Sequence, residues 1–157
     1  MTVQESEIEV RILERVSDVA RSEWDACAGL DNPFLCHDFL SALEQSLSVS
    51  ADEGWLPRHI AVYDDDGRLA AAMPLYLKGH SQGEYIFDHS WAHAFERAGG
   101  HYYPKLQIAV PHTPATGRRF LTRPGFEETG TAALIQGAVQ LTDSNGLSSL
   151  HITFCTQ

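Results

Sequence analysis

Cysteine is scarce and unpaired here: Cys27, Cys36 and Cys155 are odd in number, widely spaced and contain no C-x-x-C. That excludes a disulfide framework and fits a reducing cytoplasm in which the thiols serve as small buried hydrophobes. Basic side chains are also few. Against 21 Asp and Glu stand 11 Lys and Arg, a net charge of −10. Such a surface repels phosphate backbones and anionic lipid, and only Arg118, Arg119 and Arg123 approach a cluster, so DNA is not an expected partner. No apolar run nears the ~20 residues that cross a bilayer. The opening MTVQESEIEV is acidic and polar, unlike a secretory leader. Repeats, low-complexity tracts and interdomain linkers are lacking, and a chain of 157 residues buries roughly 70% of its unfolded surface, enough for one core. One domain in the cytoplasm is the expectation.

What is present reads as alternating elements. Apolar residues alternate at Ile8, Val10 and Ile12 before Leu13 and Val16, a strand. Ser17 or Asp18 can cap a short helix bearing Val19, Trp24 and Cys27, which Gly29 ends. After the turn Asp31-Asn32-Pro33-Phe34, the residues Leu35, Phe39, Leu40 and Leu43 make the stripe of a second helix. Pro57 to Tyr63 and Arg68 to Leu77 form a hairpin about Asp64-Asp65-Asp66-Gly67, with Pro74 at a bulge or edge because it has no N–H to donate. Lys105 to Val110 is a further strand, and Pro111 with Pro114 prevents regular pairing beyond it. Gly117 to Thr122 resumes an extended course. The longest helix runs from Phe126 to Ser144, with Ala132, Leu134, Ile135, Ala138, Val139 and Leu141 as its apolar face, and Leu147 to Phe154 is the last strand. The helix between the last two strands makes them parallel neighbours in a mixed sheet.

The segment from Met73 to Val110 carries the functional signal. A connection crowded with Tyr85, Phe87, Asp88, His89, Trp91, His93, His101, Tyr102 and Tyr103 has the composition of a pocket wall. Asp88, His89 and His93 are the candidate proton acceptors, since imidazole titrates near neutrality. Tyr85, Trp91, His101, Tyr103 and Lys105 are the candidate substrate contacts: the rings to stack, the lysine to hold a carboxylate or phosphate. The bland alternative packs Tyr85, Phe87, Trp91, Phe95 and Tyr103 into the core and pairs Asp88 with Lys105 at the surface. Zinc on His89, His93, His101 and Asp88 is disfavoured because no H-E-x-x-H occurs, so no metal is expected. A hydrolase triad of Ser81, His80 and Asp88 lacks a G-x-S-x-G elbow.

The order β-α-α-β-β, long connection, β-α-β is similar to the fold of the GNAT acyltransferases. The stretches DNPFLCHDFLSALEQS, GWLPRHIAVYDDDGRLAAAMPLYLK, HSQGEYIFDHSWAHAFERAGGHYYPKLQIAVPHTPATGRRFL and GLSSLHITF resemble the N-terminal part of the FemAB-like peptidoglycan biosynthesis or recognition family within that superfamily. The resemblance implies an α/β fold of the α+β kind, a GNAT-like, mixed and mostly antiparallel sheet flanked by helices. It also implies a single GNAT-like unit over residues 1–157, the first half of a longer two-domain protein and incomplete at its C-terminus. The implied activity is acyl or aminoacyl transfer to an amine acceptor such as a peptidoglycan precursor, with acyl-coenzyme A or aminoacyl-tRNA as donor substrate and no tightly bound cofactor. Alone, such a fragment is expected to be inactive or weak. Acyl-coenzyme A enzymes of the superfamily carry R/Q-x-x-G-x-G/A before the helix that follows the strand splay. Here Arg118 and Arg119 are the nearest cofactor-binding candidates, and Glu127 and Glu128 stand where phosphate must be attracted. Two other readings stay open: a non-catalytic module binding a cell-wall precursor or other small polar ligand, and an interaction domain whose C-terminal strand pairs with a second copy or with the missing half.

Overall fold

A computed structural model describes residues 8–157. Of the acidic opening MTVQESEIEV, residues 1–7 lie outside them. The strands are β1 (Glu9–Leu13), β2 (Trp55–Pro57), β3 (His59–Tyr63), β4 (Leu69–Met73), β5 (Leu75–Lys78), β6 (Lys105–Ile108), β7 (Leu121–Thr122) and β8 (Leu150–Ile152). The helices are α1 (Arg21–Ala28), α2 (His37–Gln45), α3 (His89–Arg97) and α4 (Glu127–Ser144). Ser17 and Asp18 fall in a 3-10 turn ahead of α1 rather than at its cap, and Gly29 closes α1 at φ 76°.

One long hairpin feeds two sheets, ordered β1-β3-β4-β7 and β2-β5-β6-β8. Arg58 divides β2 from β3, and Pro74 divides β4 from β5. Pro74 therefore sits at the join between the sheets, where a missing N–H does least harm. Across the join the Arg58 N–H donates to the Leu75 carbonyl at 2.8 Å. The Leu75 N–H goes instead to Nδ1 of the buried His59, at 3.2 Å. Because Nδ1 accepts, the ring proton lies on Nε2, which donates to the Glu44 carboxylate at 2.7 Å. Glu44 also receives the Val16 N–H at 3.0 Å, so one helical side chain ties the join to the start of the chain.

Two cores follow from this bend. Leu13, Val16, Trp24, Cys27, Leu35, Leu40, Leu69 and Leu121 pack the first sheet against α1 and α2. Ile60, Val62, Met73, Leu106 and Ile108 pack against Leu134 and Ala138 of α4. The apolar face expected on α4 is only partly the buried one: Ile135 and Val139 are 46% and 49% exposed. Gly130 and Gly137 set the rotation. A Cβ on Gly130 would stand 2.9 Å from Cβ of Ala71, and one on Gly137 would stand 3.2 Å from Val10, so the closest line of approach runs along the glycines. Of the thiols, Cys27 is buried, Cys36 half-buried and Cys155 exposed, and all three are free. Burial of all three was expected, and only Cys27 conforms.

The crossover through α4 makes β6 and β8 parallel, pairing Leu106 with Leu150, Gln107 with His151 and Ile108 with Ile152, as the sequence order requires. Their ladder ends with the Thr153 N–H on the Ile108 carbonyl at 3.2 Å. Beyond it the C-terminal chain bridges Gly117 instead, and the buried Arg119 fills the gap. Its Nε donates to the Thr153 carbonyl at 3.0 Å and its Nη2 to Ala115 at 2.9 Å. The strands part beyond Ile108, ahead of Pro111 and Pro114, and Arg119 bridges the chain at Thr153 to the loop at Ala115. Among the described residues β8 pairs with β6 alone.

Candidate functional site

Strand alternation gives the second sheet two unlike faces. Leu75, Leu77, Leu106 and Ile108 point toward α4. Tyr76, Lys78, Lys105, Gln107 and His151 share the opposite face, and the antiparallel register of β5 on β6 sets Lys78 directly across from Lys105. Both ammonium groups are fully buried. Like charges so placed are destabilising unless anions lie between them.

The 79–104 connection supplies the anions. Lys105 Nζ donates to Glu84 Oε2 at 2.9 Å and to Asp88 Oδ2 at 2.6 Å. Asp88 also accepts from the Tyr102 hydroxyl at 2.6 Å and the Tyr103 hydroxyl at 2.5 Å. Glu84 Oε1 lies 4.0 Å from Lys78 Nζ, which donates to the Gln82 carbonyl at 3.0 Å and sits 3.5 Å over the Trp55 ring. A chain Lys78, Glu84, Lys105, Asp88 thus pins the connection to the sheet with no net charge.

Protonation follows from this geometry. Burial pushes Asp88 up, but hydrogen bonds from Lys105, Tyr102 and Tyr103 outweigh it and hold the carboxyl well below its ordinary range. A carboxylate so satisfied is a weak base. Burial and the Asp88 bond push Tyr103 up to about 12 and Tyr102 higher still. Burial lowers Lys78 to about 8 and raises Glu84, the latter opposed by Lys105.

Of the residues singled out from sequence, Asp88, Tyr103 and Lys105 come together, with Asp88 and Lys105 buried rather than at the surface and Tyr103 half-buried. Lys105 is committed to Glu84 and Asp88. Tyr85, Phe87 and Trp91 are not core: Phe87 is 60% and Trp91 73% exposed, and Phe95 also reaches solvent. His89 and His93 are exposed on α3, with the His89 ring stacked on Phe87 at 5.6 Å, and His101 is exposed beyond the helix. No three His, Cys, Asp or Glu converge as a metal site among the described residues. Ser81 is buried, and His80 Nδ1 accepts the Gln82 N–H, so no triad forms with Asp88.

Sequence reasoning passed over Lys78 and Glu84. The signal was there: RLAAAMPLYLK ends in a lysine, KLQIAV begins with one, and antiparallel pairing brings those ends together. Arg118 and Arg119, the weak cofactor candidates, hold main-chain carbonyls, Arg118 that of Ala28 at 2.5 Å. Glu127 accepts the Gly125 N–H at 2.9 Å at the start of α4. A cleft of about 420 Å³ lies between Asp31–Leu35 and Ala115–Arg118.

The sequence matches the FemAB-like family, described as peptidoglycan biosynthesis/recognition, over residues 15–157. An acetyltransferase of Trypanosoma brucei superposes with a TM-score of 0.51 over 93% of this chain and 82% of its own, at 16% identity. That likeness is one of fold, and the arrangement of sheets and helices is GNAT-like. No curated protein matches the sequence. With the match spanning all but the first residues, the chain belongs to the FemAB-like family.

Proposed function

We propose that this domain is the acceptor-binding, N-terminal unit of a peptidoglycan-related acyl- or aminoacyltransferase, and that the precursor lies along the outer face of residues 85–95. One observation carries the reading: Tyr85, Phe87 and Trp91 are held largely exposed on a segment that buried charges fix to the sheet. Exposed rings on a fixed support suit stacking on a sugar or peptide, and exposed aromatics grouped in this way mark binding surfaces. The donor, acyl-coenzyme A or aminoacyl-tRNA, would be engaged elsewhere, because Arg118 and Arg119 are occupied and α4 opens with two carboxylates.

The state of Asp88 favours a second reading, a binding module without catalysis, since a carboxylate with three donors has no capacity to deprotonate an amine. Titration calorimetry with muropeptide fragments and with acyl-coenzyme A tests both readings. Heat with muropeptides alone supports acceptor binding, and turnover when a donor is added separates transferase from module. Heat with neither sinks both and leaves pairing through the free edge of β8 as the function to pursue.

A further inference from the structure

We propose that Lys78, Lys105 and the indole N–H of Trp55 form a binding site for a ligand carboxylate, and that Glu84 of the 79–88 loop occupies this site as an internal stand-in. The inference rests on the lysine pair and holds whether or not the precursor reading does. Both lysines stand on paired strands, so the sheet presents two ammonium groups to one point whatever the loop does. Asp88 offsets one of these charges through its 2.6 Å bond to Lys105. The remaining positive charge matches one monoanion, which favours a carboxylate over a dianionic phosphate.

Glu84 fills that place imperfectly. Its Oε2 reaches Lys105, but Oε1 stops 4.0 Å short of Lys78 and has no hydrogen-bond partner. Trp55 Nε1 is buried and also without a partner. It lies beneath Gly83, where an added Cβ would stand 3.0 Å from it. A carboxylate seated nearer Lys78 than Glu84 is would bridge both ammonium groups, with the unpaired Trp55 N–H as a further donor in the same buried region. Burial without a close anion also lowers Lys78 to about 8, as expected for a cation short of counter-charge.

The loop is built to exchange. Between Gly79 and Glu84 its main-chain tie to the rest of the fold is the His112 N–H on the Gly83 carbonyl at 3.1 Å, and its side-chain ties are the Lys78 bond to Gln82 and the Glu84 pair itself, while Asp88 anchors the far end to Lys105, Tyr102 and Tyr103. Gly79 meets nothing within 4 Å of where a Cβ would stand, and Gly83 has φ +79°, so the segment has two points of backbone freedom. A ligand carboxylate that displaces Glu84 replaces the bonds that hold the loop shut.

The test follows the Trp55 indole N–H by NMR while wild-type protein is titrated with an N-acetylated dipeptide bearing a free C-terminal carboxylate. Its C-terminal amide and inorganic phosphate serve as parallel probes. The expected result is a saturable shift with the free acid alone, about tenfold tighter binding in Glu84→Gln, where the internal competitor is neutral, and loss in Lys78→Met. Should Glu84→Gln be too unstable to titrate, its melting temperature rising with acetate but not with chloride supports the same site. An equal response to the amide, a stronger response to phosphate, or no response from wild type with no acetate stabilisation of Glu84→Gln would overturn the proposal.

Discussion

Lys105→Met is the perturbation whose outcome follows most directly from the buried charge chain. Methionine keeps the length and apolar stem of lysine and removes only the ammonium group. Lys105 is buried and donates to two carboxylates, at 2.9 and 2.6 Å. After the substitution Asp88 retains both tyrosine hydroxyls, while Glu84 is left with Lys78 at 4.0 Å. Removing one partner of a buried ion pair costs about 3–5 kcal/mol, because a charge stays behind unpaired. In a domain of this size each kcal/mol lowers the melting temperature by about 2–4 °C, so the variant should melt about 6–20 °C below wild type. Adding Glu84→Gln removes the stranded charge and should recover about 1–3 kcal/mol, a strongly non-additive cycle. Urea unfolding followed by circular dichroism measures all four proteins. A Lys105→Met variant within about 1 kcal/mol of wild type, or a double variant with additive losses, would refute the reasoning.

Three further outcomes are expected. The Asp88 carboxyl is held below its unfolded value of about 3.9, so its stabilisation is complete above that pH and is lost as the pH falls toward the folded value. In acid titrations of stability, Asp88→Asn should flatten the slope below about pH 4. His59→Leu strands the Leu75 N–H and leaves the Glu44 carboxylate with the Val16 N–H alone, and equilibrium unfolding should show a loss of about 3 kcal/mol. Trp91→Ala should leave stability within about 0.5 kcal/mol of wild type, since the ring is mostly in solvent. Calorimetry should find muropeptide binding weakened by about tenfold, or 1.4 kcal/mol.

Much of the fold was legible because its signals are local. The turn at Asp64–Gly67 and the helix between β6 and β8 are each fixed by a few neighbouring residues, and they dictate the hairpin and the parallel pair; Pro74 marked an irregularity in the returning strand but not the division of the hairpin between two sheets. Helix α3 was not legible as an element. Only Ala92 of its nine residues is buried, so it shows no apolar stripe of the kind that marks a helix packed on a core. The misassigned face of α4 has a related cause: hydrophobicity ranks Ile135 and Val139 above glycine, but close packing on Ala71 and Val10 selects the side without a Cβ. At the site, residue type pointed to Asp88, Tyr103 and Lys105, while Lys78 and Glu84 acquire meaning only once β5 and β6 are in register. The gap beyond Ile108 followed from the prolines, but its filling by Arg119 depended on carbonyls 4 and 34 residues away along the chain.

The proposed function places a peptidoglycan fragment on the aromatic face of residues 85–95, which Asp88 anchors to Lys105, Tyr102 and Tyr103. Mapping amide and indole shifts on labelled protein during a muropeptide titration tests it most directly. Saturable changes centred on Tyr85 to Phe95 are expected, with the Trp91 indole among the largest and α4 unaffected. Changes centred instead on the cleft between Asp31–Leu35 and Ala115–Arg118, or no changes at saturating fragment, would contradict it.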